Sequence, residues 1–363
     1  FFFQAGSLAV FPLPGENLWR LIIESDEPLP SELSAAYAQR LLLQVGVAAE
    51  VLGEPVWRSL YPLHYRLARR FQKDRCFLAG DAAHTYSPVG GQGMNMGIQD
   101  AYNLGWKLGL VQQQRAWEWL LKSYQDERCP LAAATLRGTK RATKVVMLRQ
   151  SVTRQVQNRV AALLGSFDVV QQRLARRLAE LDLSYSESSI VEECHMPLLG
   201  SCFHLADKLI PTTSTCLEFG STPQAGERLP DVIYADSGGE GGSRLFTLLR
   251  GTRHCLFLFS GLSPKADQEA LLDVATLVRD SYDPIIKFYL VLHPESKSDF
   301  SSWKYAVIQD SEGALHRHFG LSFGGMYLIR PDGYIGFRSQ PVLKSVFVDY
   351  LKRTFIAAKS RVL

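Results

Sequence analysis

Apolar and polar residues alternate through positions 7–23 (SLAVFPLPGENLWRLII), which predicts two strands around a turn at Pro14-Gly15. The period then changes. LSAAYAQRLLLQV carries its apolar residues at helical spacing, and Ser31 as N-cap with Glu32 in the first turn predicts where that helix opens. WRSLYPLHYRLARRF (57–71) reads as an extended segment, aromatic on one face and basic on the other. CFLAG (76–80) is a short apolar run bounded by charge and by Gly80-Asp81, the pattern of a buried parallel strand. A Pro/Gly-rich loop follows, and a helix is expected from near Gly93. Met94, Ile98, Ala101, Leu104, Leu108 and Val111 recur on it with the 3.6-residue period of a buried stripe. The helical pattern continues to about residue 180. Its later part is basic, with Arg137, Lys140, Arg141, Lys144, Arg149, Arg154, Arg159, Arg173, Arg176 and Arg177 relieved only by Asp168, and reads as a solvated face.

Residues 184–243 carry clusters of Pro, Ser, Thr and Gly and read as a linker with domain entry, ending in SGGEGG (237–242). Beyond them the alternation is regular. Strands are expected at 254–260, 286–292 and 305–309, with helices at 264–280 and 313–319. MYLIR and YIGFR flank a turn at Pro331-Asp332-Gly333, and a last helix is expected at 341–358. A βαβ opening and a hairpin-plus-helix ending suggest a thioredoxin-like α/β sandwich. A redox thioredoxin places thiols after its first strand; here that position reads Phe259-Ser260-Gly261-Leu262-Ser263, so a structural or oligomerising role is expected instead.

Composition narrows this picture. The 363 residues are 46% hydrophobic and 21% charged, which excludes a disordered or collagen-like chain. A net charge of +4 does not argue for nucleic acid, and no apolar run reaches the roughly 20 residues of a membrane helix. Cys76, Cys129, Cys194, Cys202, Cys216 and Cys255 form no CxxC pair, which fits free thiols in a reducing cytoplasm. His316 and His318 are close in sequence, but no ligand set completes a metal site around them. The chain opens FFFQAG and its first methionine is Met94, so further sequence is expected upstream.

The informative chemistry lies in strand, Gly-Asp, loop and helix. Gly80 lets another group approach the backbone, and Asp81 offers a carboxylate to hydroxyls of a polyol. Pro88 stiffens the loop, while Gly90, Gly91 and Gly93 permit φ > 0 and close approach. The helix N-terminus, from Gly93 to Asn95, presents unpaired N–H groups and the positive end of its dipole, suited to a phosphate or an anionic heterocycle. No GxxxxGK[ST] occurs. A plain strand-to-helix connection remains open on these grounds alone.

RCFLAGDAAHTYSPVGGQGMNMGIQDAYNLGWKLGL strongly resembles the second flavin motif of class A FAD-dependent aromatic hydroxylases, the p-hydroxybenzoate and phenol hydroxylase group. The match runs through Gly80, Asp81, Ala82, Ala83, His84, Pro88, Gly91, Gly93, Asn95, Asp100, Asn103, Leu104, Trp106, Lys107 and Leu108. QAGERLPDV (224–232) and LIRPDGYIGFR (328–338) look like the thioredoxin-like tail of the phenol hydroxylase branch. The resemblance implies that Asp81 binds the ribityl chain of FAD, beside Gly80. It implies that Pro88 lies near the isoalloxazine, and that the backbone from Gly91 through Gln92, Gly93 and Met94 to Asn95 meets the pyrimidine edge. His84 is expected to be a structural hydrogen-bonder, and Trp106 and Lys107 packing and surface residues. No catalytic residue is assigned.

The implied chemistry is hydroxylation of a phenol-like or polycyclic aromatic with NAD(P)H and O2. Other flavoenzymes of the fold, an epoxidase or a halogenase, and a non-catalytic interaction module are the alternatives. The substrate would lie against residues 7–23 and 57–66, where Trp57, Tyr61 and His64 are expected to be core residues. The family's opening GxGxxG and its middle Asp-Gly motif are not in the chain, so the chain alone is expected to hold FAD weakly or not at all. The expected fold is α/β, mixed with α+β: the C-terminal part of a p-hydroxybenzoate-hydroxylase-like FAD/substrate fold, then a thioredoxin-like domain. The expected boundaries are a substrate-sheet portion at 1–70, a flavin-domain portion at 71–183, a linker at 184–225 and the last domain at 226–363, with a homodimer through that last domain.

Overall fold

The computed structural model describes residues 2–3, 6–25, 30, 34–47, 52–60, 62, 64–86, 91–146, 171, 175–176, 179–195, 219–235, 242–261, 265–296, 300 and 303–358. Pro88, Tyr61, Arg149, Arg154, Arg159, Arg173, Arg177 and most of the Gly-rich run at 237–242 lie outside them. The chain divides into two compact units, residues 1–65 with 137–171, and residues 66–136 with 172–363.

In the first unit, β1 (Phe2–Phe3), β2 (Gly6–Pro12) and β3 (Trp19–Ser25) form an antiparallel sheet. Leu8 pairs with Ile23 and Val10 with Leu21, as the two-residue alternation requires. Gly15 (φ +120°) takes the turn, in a backbone region that side chains disfavour. Helix α1 (Ala35–Gln44) packs Leu41 and Leu42 with Leu8. Its cap is Ser34, not Ser31: the Ser34 hydroxyl accepts the Tyr37 N–H at 3.3 Å. The aromatic segment is not core where it is described, since Trp57 is 72% exposed and His64 is exposed.

In the second unit, β4 (Arg66–Leu67) pairs with β7 (His84–Thr85), and β5 (Gln72–Lys73) forms a hairpin with β6 (Cys76–Phe77). CFLAG is therefore not a buried parallel strand among the described residues. Cys76 and Leu78 are exposed, and Leu78 returns its N–H to the Phe71 carbonyl instead of joining a wider sheet. Helices α2 (Gly93–Gln112) and α3 (Lys122–Val146) follow, the latter with Pro130 inside it.

In the C-terminal part β9 (Ile233–Tyr234) pairs with β10 (Ser243–Arg244), followed by a short α4 (Leu245–Leu248). β11 (His254–Phe259), β12 (Ile286–Leu292) and β13 (Val307–Gln309) run parallel. β14 (Gly325–Ile329) and β15 (Ile335–Gln340) form the antiparallel hairpin. With β8 (Glu192–His195) they make a six-stranded mixed sheet of order β13-β12-β11-β14-β15-β8. Every residue of β11 is buried, as expected of a strand covered on both faces. Leu256 and Leu258 face one core with α5 (Lys265–Tyr282) and α7 (Lys344–Thr354). Cys255, Phe257 and Phe259 face the other, with α6 (Ala314–Phe319).

Two details depart from expectation. Part of the stretch read as linker is strand: β8 (Glu192–His195) lies parallel to β15, and Ile190 and Phe219 are core residues. The last helix stops at Thr354 because Phe355 is extended, pairing with Ala116 while Ile356 donates to the Arg115 carbonyl. Trp106, Leu110, Ala116 and Leu120 share the sheet's first core, so the second half of α2 is built into the C-terminal sheet. No described helix is long and apolar enough to cross a membrane.

Candidate functional site

The Gly-Asp segment forms a 3-10 turn at Gly80–Ala82, with Gly80 at φ +60°. It sits directly against α2: a Cβ on Gly97 would stand 3.2 Å from the Gly80 Cα. Asp100, fully buried one turn further on, ties the two together. Its Oδ2 accepts the Gly80 N–H at 3.0 Å and lies 2.6 Å from His84 Nε2, and its Oδ1 accepts from Arg128 Nε at 2.6 Å. Arg128, equally buried, also donates to the Met96 carbonyl at 3.0 Å and the Tyr185 hydroxyl at 2.8 Å. Burial raises the pKa of Asp100. The hydrogen bond to His84 and the Arg128 charge outweigh that effect and hold the carboxyl below its usual range. His84 is thus a structural hydrogen-bonder, as expected, placed on a carboxylate that was matched in the motif without a role.

Asp81 lies beside this anchor and is exposed, its carboxylate open to a ligand's hydroxyls. Gly91 has φ +64° with open space around it. Gln92 sits at the N-cap of α2 without a side-chain capping bond, and the N–H groups of Gly93, Met94 and Asn95 have no intrahelical acceptor. The motif therefore brings Gly80, Asp81, Gly91, Gln92, Gly93, Met94 and Asn95 onto one end of α2, whereas Pro88 is outside the described residues.

The expected apolar stripe on α2 is wrong for most of its length. Met94, Ile98 and Leu108 are 74%, 59% and 38% exposed, Ala101 is exposed and Val111 half-buried, while Met96, Asp100, Asn103, Leu104, Trp106, Lys107 and Leu110 are buried. Lys107, expected on the surface, has no exposure, because Glu127 accepts its ammonium at 2.8 Å. A signal was present: Asp100, Asn103 and Lys107 recur at i, i+3 and i+7, a polar stripe on one helix face. Their partners Arg128 and Glu127, and Arg330 which binds Glu127 in turn, are remote in sequence and carry no comparable signal. His316 is also accounted for structurally, with Nδ1 2.8 Å from Asp310 Oδ2, and no metal-binding cluster exists among the described residues.

A carboxylate open to hydroxyls, N–H donors at an uncapped helix end, and a positive-φ glycine with space around it form a donor set that suits a flavin's polyol and electron-rich ring edge. Residues 6–139 match the FAD binding domain family. The relatives and solved structures that the chain matches beyond that stretch include FAD-dependent aromatic hydroxylases. It is 33% identical over 291 residues to pentachlorophenol 4-monooxygenase of Sphingobium chlorophenolicum, covering 79% of this chain and 46% of that protein. It is 30% identical over 349 residues to 6-methylpretetramide 4-monooxygenase of Streptomyces rimosus, covering 93% and 55%. Among solved structures, the OxyS anhydrotetracycline hydroxylase from Streptomyces rimosus superposes with a TM-score of 0.59 at 26% identity, over 96% of this chain and 57% of that one. CabE, an aromatic hydroxylase from angucycline biosynthesis, gives 0.61 at 25% identity, over 96% and 59%. The chain thus spans about half the length of the curated relatives it matches.

Proposed function

We propose that the protein carrying this chain is an FAD-dependent monooxygenase that hydroxylates a phenol-like or polycyclic aromatic substrate with NAD(P)H and O2. The observation that carries the reading is the Gly80–Ala82 turn, held by Asp100 against the uncapped end of α2. Bound FAD supplies the redox chemistry and the activation of oxygen. The chain's own residues bind and orient it. Asp81 would accept hydrogen bonds from the ribityl hydroxyls. The backbone from Gly91 through Gln92, Gly93 and Met94 to Asn95 would hold the pyrimidine edge, where a helix N-terminus favours negative charge by up to about 2 kcal/mol when partly buried. Asp100 and Arg128 keep that end of α2 fixed, which preorganises those donors.

The same proposal assigns residues 1–70 to a substrate-sheet portion, 71–183 to a flavin-domain portion, 184–225 to a connecting segment that lends β8 to the last sheet, and 226–363 to a thioredoxin-like domain. That last domain is structural and dimerising, and the protein cytoplasmic. The test is substrate-dependent NAD(P)H oxidation with 18O2. Incorporation of one labelled oxygen into a phenolic product is expected. Turnover giving an epoxide or a halogenated product would move the protein to another flavoenzyme class.

A further inference from the structure

Lys107 is buried on the second half of α2, and Glu127 on α3 is buried beside it. Glu127 is where the flavin-domain helices meet the C-terminal sheet. Arg330, at the end of β14, spans both of its oxygens, with NH1 to Oε1 at 2.7 Å and NH2 to Oε2 at 2.9 Å. Lys107 and Asn103 donate to Oε2 at 2.8 and 2.7 Å, and Ser188 to Oε1 at 2.6 Å. Two residues further along the hairpin turn, Asp332 accepts from Arg330 NH2 at 2.6 Å and from Trp106 Nε1 at 2.9 Å. The guanidinium also lies 5.2 Å from the Trp106 ring centroid. All four charged groups are nearly or wholly inaccessible, so each depends on the others for its pairing. The next residue along α3 is Arg128, which holds Asp100 and the Met96 carbonyl at the other end of α2.

We infer that Arg330 and Asp332 of the C-terminal hairpin are positioning residues for the flavin-facing end of α2, acting through the adjacent Glu127–Arg128 pair. The C-terminal sheet is then part of the flavin site's support, although it supplies no residue to the site itself. Arg330 holds Glu127, whose partners Asn103 and Lys107 lie on the second half of α2, while the neighbouring Arg128 holds Asp100 and the Met96 carbonyl on the first half. Loss of the hairpin contact leaves Glu127 to Lys107, Asn103 and Ser188 alone, and the α3 turn carrying Arg128 shifts with it.

This inference rests on the reading above for what the first turns of α2 face, and its test needs no flavin, so the two fail separately. Amide hydrogen exchange is measured on residues 97–100, on 103–110 and on strands 254–259 and 286–292, in the full chain and in the Arg330→Met and Asp332→Ala variants. Asp332→Ala leaves the two-bond Arg330–Glu127 pair in place and is the milder of the two variants. Exchange at 97–100 is expected to rise at least about tenfold, with the two strands unchanged. Unchanged exchange at 97–100 while 103–110 loosens, or a uniform rise through the strands, would overturn the inference.

Discussion

Asp100→Asn is the perturbation whose consequence follows most directly from the geometry. The carboxylate uses Oδ1 for Arg128 and Oδ2 for both Gly80 and His84, in a site with no solvent access. An amide keeps one acceptor oxygen. If it stays on Arg128, the amide nitrogen faces the Gly80 N–H, donor against donor. If it turns to Gly80, the amide nitrogen faces the Arg128 Nε–H instead, and in either arrangement the buried guanidinium loses its counter-charge. The first arrangement leaves an unsatisfied donor, at about 1–3 kcal/mol, and weakens a charge-assisted bond of about 1.5–3 kcal/mol. Together these match the roughly 3–5 kcal/mol typical of breaking a buried ion pair. Urea unfolding monitored by circular dichroism should therefore show a loss of about 3–5 kcal/mol with an unchanged slope. Asp100 has a folded pKa below its unfolded value of about 3.9. Its contribution is present above that value and lost as the pH falls through the folded pKa, so the variant should also show a flatter acid limb. A loss under about 1 kcal/mol would refute the claim that Asp100 holds the Gly-Asp turn to α2.

Three further substitutions test the scaffold. His254 is fully buried between Trp106 and Phe355, and burial, aided by the Arg330 charge, lowers its pKa to about 3. The unfolded chain binds a proton there near pH 6.5 and the folded chain does not. Stability attributable to this site is thus full above about pH 6.5 and declines as the pH drops towards 3; His254→Phe should remove that decline between pH 6.5 and 4 in thermal melts, and an identical slope would contradict the assignment. Gly261 has φ +58°, and a Cβ there would stand 2.3 Å from the Phe323 carbonyl carbon. Gly261→Ala should lower stability by more than about 2 kcal/mol, combining left-handed strain with a backbone clash, whereas Gly91→Ala, in open space, should show the strain alone.

Legibility in the sequence followed the range of the interactions. The C-terminal strands were readable because β11 and β12 are unbroken apolar runs and Pro331-Asp332-Gly333 is a turn by its own chemistry. The flavin motif was readable because glycines, Asp81 and a helix start fall within one short segment. β8 was not, since Glu192–His195 is a polar stretch that becomes a strand only by lying beside β15. The orientation of α2 was misread for a related reason. Its polar residues are buried by Glu127, Arg128 and Arg330, and its first apolar residues are left exposed. A helix whose polar face is the buried one inverts the usual rule. Only the remote charges that pair with it reveal the inversion.

The most direct test of the account is the flavin content of the protein carrying this chain, compared with its Asp81→Ala variant, by absorbance after gel filtration and by FAD titration. The account predicts stoichiometric FAD in the parent. It predicts affinity weakened by about 10–100-fold in the variant, the loss of a hydrogen bond to a charged acceptor, with thermal stability of the flavin-free protein unchanged. Equal flavin content and equal affinity in the two proteins would contradict it.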